Sequence, residues 1–276
     1  LWHSSAASDV YKRQAIEIYW WYSCRCEVVG EKMSTSKIIG ATAKLRDDME
    51  IFADRLMSDQ IVDCVYNPLA YAWDVHVAYL EKSTTAGAKT ILLGMNPGPH
   101  GMGQMGIPFA ATTVVRDLIG IKGIRVLEPR RIHPRRPIRG LEWPREEVSG
   151  TRLWGALEEK YGLIDNIFKN VFLVNHCPLM FFLGDRARNI TPDKIGGPVV
   201  RSMLERCDDY LREVVDIIEA EVVIGVGKYA ESRAMSAFHG SDVTISSCWH
   251  PSPASPLANR NGGADWRANF KSVLPE

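Results

Sequence analysis

The sequence predicts an α/β fold, a single domain with a central four-stranded parallel sheet flanked by helices. Four short apolar runs alternate with segments of helical periodicity, an arrangement typical of parallel β/α units. The composition agrees, because 46% of the 276 residues are hydrophobic and 24% are charged, as in an ordinary globular domain. A chain of this length buries a full core without disulfides or metals.

Residues 1–32 differ in character from the rest of the chain. The stretch SSAASDVYKRQ resembles a translated sequencing adaptor, and Glu17 interrupts the apolar run AIEIYWWYSC. That run also lacks the small-residue cleavage site of a signal peptide. Met33 has the appearance of a natural start. We therefore expect residues 1–32 to be a non-native or disordered leader and residues 33–276 to form the domain.

The predicted elements follow in chain order. Helical spacing of apolar residues predicts a first helix through Leu45, Met49, Phe52 and Leu56. A turn at Tyr66-Asn67-Pro68 and an aromatic segment come next. The four strands are predicted at residues 89–93, 171–175, 221–226 and 243–249. Further helices are predicted at 151–160, at 199–218, after Gly227, and around Trp266 and Phe270, with a proline-broken loop at 122–148.

Charge and cysteine content exclude several classes of protein. The formal net charge is zero, although the segment from Lys122 to Arg145 has eight Lys or Arg against two Glu. Such a segment is either a phosphate-facing surface or a solvated loop, and charge alone favours the loop. The six cysteines form no C-x-x-C pair and the histidines have no metal-ligand spacing, so we expect reduced thiols and no metal or cofactor. No apolar run is long enough for a membrane span.

Three unusual segments follow predicted strands: 94–110, 175–178 and 249–260. Ligands bind at the carboxyl ends of parallel strands, so these segments are expected to converge. They supply Asn96, Asn175 and His250, which are neutral donors and acceptors suited to a planar heterocycle with amide-like edges, and Phe109, whose ring stacks on such a base. No Asp or Glu lies within 94–110, so the sequence predicts a pocket without a general base.

A competing pattern is the G-x-G-x-x-A motif from Gly225 to Ala230. A dinucleotide site also needs an acidic residue at the end of the next strand, whereas Asp242 precedes that strand. A nucleotide-dependent oxidoreductase is therefore a weaker hypothesis. We interpret Gly227 and Lys228 as a helix start that contacts a phosphate.

The stretches GMNPGPHGMGQMGIPF, VNHCPL and HPSPASPLANR together resemble the single-strand-selective monofunctional uracil-DNA glycosylases. The resemblance extends over about residues 45–272. It implies a uracil-DNA glycosylase-like fold and excision of uracil and 5-hydroxymethyluracil from DNA, which leaves an abasic site. DNA, single-stranded or duplex, would be the partner of a monomeric intracellular enzyme, in the cytoplasm or nucleoid of a bacterium or the nucleus of a eukaryote.

By matching position, the resemblance implies a role for each motif residue. Asn96 positions the attacking water, and His250 donates to the departing base. Phe109 stacks on the flipped base and Asn175 reads its edge. The base-binding set also includes Met95, Met102 and Gly98, and the missing side chain of Gly98 leaves room at uracil C5. The residues expected to contact DNA are Lys228, Pro251, Ser252, Pro253, Ala254, Ser255 and Arg260.

The sequence alone does not decide whether single-stranded or paired DNA is preferred, or which base is the main substrate. Vertebrate members of that family have arginine at the position of Ala254, which predicts weaker activity here on paired uracil. The motifs are also compatible with a glycosylase that prefers another deaminated base, such as xanthine or hypoxanthine. A non-catalytic nucleic-acid-binding protein of this fold is a further hypothesis, although the presence of Asn96, Asn175 and His250 argues against it.

Overall fold

The computed structural model of the chain describes residues 33–84 and 86–276, so the prediction for residues 1–32 lies outside the described residues. Its α-helices and strands, in chain order, are α1 (33–58), β1 (Cys64–Tyr66), α2 (Pro68–Tyr71), α3 (Trp73–Thr84), β2 (Thr90–Gly94), α4 (Met102–Met105), α5 (Val148–Tyr161), α6 (Ile164–Asn170), β3 (Val171–Asn175), β4 (Met180–Leu183), β5 (Arg188–Ile190), α7 (Pro198–Ile218), β6 (Val222–Val226), α8 (Lys228–Ala237), β7 (Thr244–Cys248), α9 (Pro256–Asn259) and α10 (Ala264–Val273).

The central sheet has four parallel strands in the order β3-β2-β6-β7. Their bounds lie within one residue of the predicted ranges, and the predicted fold class is confirmed. Gly94 pairs with Asn175, and Val226 pairs with Cys248, so all four strands end at one side of the sheet, here called the carboxyl edge. The segments 94–110, 175–178 and 249–260 therefore leave the sheet at the same edge.

The core lies between the sheet and its helices. Every residue of β2 and β3 is buried, which explains the apolar runs at 91–93 and 171–174. In α1, the predicted positions Leu45, Met49 and Leu56 are buried, and Phe52 packs partly buried against them. The long predicted amphipathic helix is α7, which begins at Pro198, and its apolar face is buried.

A second sheet was not predicted. Strands β1, β4 and β5 form an antiparallel sheet in the order β1-β4-β5. The Tyr66 ring packs edge-on against Phe182 at 5.1 Å between centroids. The predicted turn at Asn67-Pro68 is the start of α2, with proline at the first helical position, where its missing N–H costs nothing.

The two predicted loops are mostly irregular but not wholly so. Segment 94–110 contains the single-turn helix α4, and segment 122–148 contains a 3-10 turn at Gly140–Glu142. Helix α5 begins at Val148 instead of residue 151. Within residues 33–84 and 86–276, no helix is both long and apolar enough to cross a membrane.

Candidate active site

A cavity of about 350 Å³ opens at the carboxyl edge, within the size range of small-molecule sites. It brings together eight of the predicted site residues: Met95, Asn96, Gly98, Met102, Phe109, Asn175, His250 and Ser252. It is also lined by six residues that were not predicted: Pro97, Pro99, Glu147, Ser149, Asn189 and Thr191. The functional roles assigned to the predicted residues remain predictions, but their convergence on one cavity is a property of the fold.

Hydrogen bonds between the segments that follow β2 and β3 hold Asn96 in place. The backbone amide of His176 donates to Gly94 O at 3.0 Å, and that of Cys177 donates to Met95 O at 2.9 Å. The Asn96 Nδ2 donates to Leu179 O at 3.2 Å. Its Oδ1 has no partner among the described residues, so this oxygen remains available as an acceptor at the cavity.

Gly94 makes room for Asn175 and Phe109. A Cβ on Gly94 would lie 2.0 Å from Asn175 Oδ1 and 2.8 Å from the Phe109 ring. Phe109 has a positive φ of 54°, an uncommon conformation outside glycine that often marks functional sites. Asn175 is buried, and its Nδ2 approaches Met102 Sδ at 3.1 Å. An aromatic ring and an amide thus lie side by side at the cavity.

His250 is held in one tautomer. The backbone amide of Ser252 donates to its Nδ1 at 3.1 Å. A neutral imidazole that accepts at Nδ1 carries its proton on Nε2. Burial lowers the pKa of His250 below its ordinary value, so the ring is neutral at pH 7 with an Nε2–H to donate. Gly227 permits this arrangement, because a Cβ there would lie 3.0 Å from the His250 Cβ.

The segment after His250 forms a tight turn that is fastened by Arg152. Ser255 N donates to Ser252 O at 2.9 Å, and the tip residues Pro253 and Ala254 are exposed. Arg152 Nη1 donates to Pro251 O at 3.0 Å, and its Nη2 donates to Asn259 Oδ1, also at 3.0 Å. The Asn259 Nδ2 in turn donates to Pro253 O at 2.8 Å. No sequence pattern indicated this role of Arg152, because it lies in the middle of a helix.

Six of the predicted DNA-contacting residues do not line the cavity: Lys228, Pro251, Pro253, Ala254, Ser255 and Arg260. Lys228, at the start of α8 as predicted, pairs with Glu231 at 2.7 Å and is almost fully exposed. Arg260 is exposed and lies 3.7 Å from Asp265. Both cations lie on the surface of the protein, outside the cavity.

The pocket was predicted to lack a general base because residues 94–110 contain no Asp or Glu, but a carboxylate reaches the cavity from another segment. Glu147 lines the cavity, and a Cβ on Gly98 would lie 2.7 Å from its Oε2. Burial raises the pKa of this carboxyl above its ordinary value. The space beside Gly98, expected to be empty, therefore has a carboxylate at its far side.

Asn189 and Thr191 reach the cavity from the end of β5, in the sheet that was not predicted. The Asn189 Oδ1 is buried and has no hydrogen-bond partner among the described residues. A buried unpaired acceptor is costly unless a bound molecule or water satisfies it. No sequence pattern identified either residue, because neither follows a strand of the parallel sheet.

His176, the neighbour of Asn175, faces away from the cavity. Its Nε2 bonds Asp208 of α7 at 2.9 Å, and its Nδ1 bonds the Tyr229 hydroxyl of α8 at 3.0 Å. The side chain is fully buried. His176 therefore ties two helices to the end of β3 and is not a site residue.

The glycine motif after β6 has a packing explanation. A Cβ on Gly225 would lie 2.4 Å from the backbone nitrogen of Glu231, so Gly225 allows α8 to pack closely on its strand. Gly227 has a φ of 92° and adjoins His250. Both glycines are explained without a dinucleotide, which further weakens the oxidoreductase hypothesis.

Over the described part of the chain, no group of three or more His, Cys, Asp or Glu side chains is arranged to hold a metal ion. The four cysteines found there, Cys64, Cys177, Cys207 and Cys248, are free and buried. The basic segment is partly neutralised, since Arg130 lies 3.6 Å from Glu50 and 3.4 Å from Asp54.

Comparisons with known proteins identify the family of the chain. The family model described as the uracil DNA glycosylase superfamily matches residues 81–270. The chain is 40% identical over 236 residues to the single-strand selective monofunctional uracil-DNA glycosylase of Rattus norvegicus, and 38% identical over 235 residues to that of Bos taurus. Both alignments cover 84% of this chain and 83% of the relative.

A solved structure, wild-type SMUG2 of Pedobacter heparinus, shares the fold. Its TM-score is 0.55 at 14% identity, over 75% of this chain and 84% of that chain. The family model spans most of the chain and includes every residue that lines the cavity. The chain therefore belongs to the family of single-strand-selective monofunctional uracil-DNA glycosylases, within the uracil DNA glycosylase superfamily.

Proposed function

We propose that the protein is a monofunctional DNA N-glycosylase that hydrolyses uracil from DNA in base-excision repair, and that it also accepts 5-hydroxymethyluracil. The observation that carries the proposal is the hydrogen bond from Ser252 N–H to His250 Nδ1. It leaves Nε2–H as a donor in the same cavity as the Asn96 and Asn175 amides. Those three groups match the needs of uracil excision.

Recognition requires the base to leave the DNA stack, because its reacting bond is inaccessible within a duplex. In the cavity, the Phe109 ring stacks on the base. The Asn175 amide accepts from uracil N3–H and donates to O4, whereas cytosine presents the reverse pattern. The contact between Asn175 Nδ2 and Met102 Sδ favours one orientation of the amide, which supports discrimination against cytosine.

Hydrolysis breaks the bond between sugar C1′ and uracil N1. Positive charge develops on the sugar and negative charge on the base, and the His250 Nε2–H donates to uracil O2 as that charge forms. One well-placed donor of this kind contributes about 2.7–4 kcal/mol. Asn96 Oδ1 orients the water whose oxygen bonds to C1′, but a neutral amide cannot remove its proton. The added water loses its proton to solvent and the departing uracil anion takes one up at N1, so the products are free uracil and an intact abasic site.

The DNA contacts are assigned to the exposed turn after His250 and to Lys228 and Arg260. The turn enters the space left by the extruded base, and the two cations bind phosphates. We propose that the enzyme acts as a monomer without a cofactor, in the compartment that holds the DNA. With the small Ala254 at the exposed tip, activity is expected to be lower on paired uracil than on mispaired or single-stranded uracil.

The proposal is tested with oligonucleotides that contain one uracil, either single-stranded or opposite adenine or guanine. We expect free uracil in the presence of EDTA and strand breaks only after alkali or heat. Strand cleavage by the protein alone, coupled to uracil release, would contradict a monofunctional enzyme. A parallel series with xanthine, hypoxanthine and 5-hydroxymethyluracil identifies the preferred base, and a higher rate on either purine would replace uracil as the main substrate.

A further inference from the structure

The second half of the basic segment borders a groove that the proposed reaction does not use, here called the arginine groove. It has a volume of about 310 Å³, at the lower end of the range for small-molecule sites. Its floor is largely apolar and consists of the buried residues Tyr66, Met180 and Phe182. Pro99 lines both this groove and the carboxyl-edge cavity, so the two share a wall. Four arginines line the groove: Arg135, Arg136, Arg139 and Arg145.

The protein does not neutralise the charge of these arginines. No Asp or Glu of the described residues lines the arginine groove, and no ion pair in that part of the chain includes its four arginines. Arg130, earlier in the same segment, instead lies 3.6 Å from Glu50 and 3.4 Å from Asp54. Arg136 is also fixed in position, because its Nε and Nη2 both donate to Ala187 O, at 3.0 and 2.7 Å. Unpaired positive charge around a groove is typical of a surface that binds phosphates.

The backbone of the arginine groove is held by a buried glutamine. Gln104 Nε2 donates to Pro99 O at 3.1 Å and to Pro137 O at 3.0 Å. Its Oε1 accepts from the backbone amide of Arg139 at 2.9 Å. Gln104 thereby joins the basic segment to the glycine-rich loop 94–110. This part of the basic segment is therefore a fixed surface and not a freely solvated loop.

Two half-buried rings provide a flat surface in the arginine groove. The rings of His100 and Trp143 are inclined by only 15°, with their centroids 5.6 Å apart, and Trp143 Nε1 donates to His100 Nδ1 at 3.1 Å. Burial lowers the pKa of His100, and the charges of Arg145 and Arg136 lower it further, which favours the neutral ring that accepts at Nδ1. Nearly parallel rings beside cationic side chains are the surface on which unpaired bases stack.

We propose that the arginine groove binds an unpaired nucleotide of the substrate strand, within a few nucleotides of the extruded uracil. The base of that nucleotide stacks on Trp143 and His100, and Arg139 and Arg145 bind its phosphates. Its placement near uracil rests on the proposed function, because the strand that delivers uracil leaves the carboxyl-edge cavity over the wall at Pro99. A stacked strand advances about 3.4 Å per nucleotide, so sites that share a wall are a few nucleotides apart.

The stacking surface is tested by the affinity of the protein for single-stranded oligothymidylate, which contains no uracil. Trp143→Ala is expected to weaken binding about tenfold, as is typical of a ring on which a base stacks. Trp143→Phe retains a ring and is expected to restore most of the affinity. Trp73→Ala is the matched control, because Trp73 is also half-buried but packs under the Arg46 guanidinium, outside the groove. Wild-type affinity in Trp143→Ala would overturn the inference.

The phosphate contacts are tested by the salt dependence of the same affinity. Arg139→Ala is expected to reduce the slope of log Kd against log salt concentration by about 0.7, the contribution of one phosphate contact in a single strand. Arg131→Ala makes the same charge change in the same segment, but Arg131 Nη1 approaches Met57 Sδ at 3.8 Å, away from the groove. Its slope is expected to be unchanged. Equal reductions in both variants would indicate an effect of net charge and would overturn the site.

The kinetics of uracil release show whether the groove acts on the substrate strand. Contacts remote from the reacting bond bind substrate and transition state equally, so Trp143→Ala is expected to raise KM on single strands and to leave kcat unchanged. Shortening the wild-type substrate from the 5′ or the 3′ side of uracil is expected to reproduce this rise on one side only. A fall in kcat would instead show that Trp143 supports loop 94–110, and no effect of shortening on either side would exclude a flanking nucleotide.

The outcomes separate this inference from the proposed function. If the wild-type protein releases no uracil, the proposed function fails, while oligothymidylate binding still decides whether the groove holds a single strand. If uracil is released but the groove variants bind like their controls, only the inference is wrong. An equal loss of affinity for duplex DNA would also overturn it, because a paired base is not free to stack on the two rings. Thermal unfolding identifies the variants that fold, and Arg139→Ala, at an exposed position, provides the test if Trp143→Ala does not.

Discussion

At the scale of single residues, the site depends on glycines as much as on the polar groups. Gly94 ends β2 and adjoins both Asn175 and the Phe109 ring. Gly150 has a similar function, because a Cβ there would lie 2.2 Å from Phe109 O. Asn175, proposed to read uracil, and Phe109, proposed to stack on it, therefore have their positions because two glycine backbones approach them closely.

Gly94→Ala is expected to displace Asn175 and Phe109, and so to reduce uracil release at least a hundredfold, comparable to removing a key polar contact. Gly155→Ala is the matched control, since a Cβ on Gly155 in α5 meets nothing within 4 Å. Single-turnover rates and thermal unfolding of both variants provide the measurement. A folded Gly94→Ala protein with near wild-type rates would show that the cavity beside Gly94 is not the base site.

The predictability of individual residues follows from their positions. Asn96, Asn175 and His250 were predictable because each lies at the carboxyl end of a parallel strand, where ligands bind. Glu147 was not, because it precedes a helix and approaches Gly98 only in the folded chain. Asn189 likewise reaches the cavity through β5, a strand of three residues with no clear alternation.

At the scale of elements, helix α5 supports the turn that follows β7. Arg152 bonds Pro251 and Asn259 through different guanidinium nitrogens, and so fastens both ends of the segment that carries the exposed tip. Pro251 directly follows His250, so the same bonds also restrain the proposed donor.

Arg152→Ala is expected to lower uracil release about tenfold on duplex DNA and less on single strands. A loosened turn is less able to keep the extruded base from returning to its partner in the duplex. Arg212→Ala is a suitable control, since Arg212 also donates to a backbone carbonyl, Ala237 O at 3.1 Å, but near the far end of α7. Equal losses for the two arginine variants would indicate a general effect on stability.

The tip of that turn is expected to contact the DNA. Ala254 is exposed and its backbone amide donates to Ser252 Oγ at 3.2 Å. Ala254→Arg supplies a long side chain to fill the gap left by the extruded base, which costs a few kcal/mol to open in a duplex. We expect release from paired uracil to increase several-fold more than release from single strands. An equal change on both substrates would show that Ala254 does not contact the gap.

The elements differed in how far they were predictable. The parallel strands were found from buried apolar runs bounded by glycine and polar residues. The antiparallel sheet was missed because β1 and β4 are three and four residues long and pair across more than a hundred residues of chain. Short strands that pair with distant segments leave little pattern in the local sequence from which to predict them.

At the scale of the whole molecule, full burial of His76 and His176 and partial burial of His100 and His250 favour the neutral forms of these rings. Burial lowers the pKa of His76 to about 4 and lowers those of His100, His176 and His250 below the ordinary value. In the unfolded chain, the same histidines take up their protons near pH 6.5. The unfolded state therefore holds more protons below pH 6.5, and stability falls as the pH falls towards 4.

His76 alone is expected to account for about 3 kcal/mol of that loss by pH 4. His76→Asn preserves a donor towards Gly106 O, which His76 Nδ1 bonds at 2.7 Å, but removes the titrating ring. Urea unfolding between pH 7.5 and 4.5 is expected to show a flatter pH dependence for this variant. His239→Asn, at an exposed position, is expected to keep the wild-type slope, and a wild-type slope in His76→Asn would refute the assignment.

The central claim is that the cavity at the carboxyl edge is where uracil is read and released. Its most direct test is single-turnover release of free uracil from a single-stranded oligonucleotide by Asn175→Ala. Asn166→Ala is the control, an exposed asparagine in α6 whose Nδ2 donates to Tyr161 O at 3.2 Å. We predict a loss of at least a hundredfold for Asn175→Ala and wild-type rates for Asn166→Ala. A folded Asn175→Ala protein that releases uracil at nearly the wild-type rate would contradict the claim.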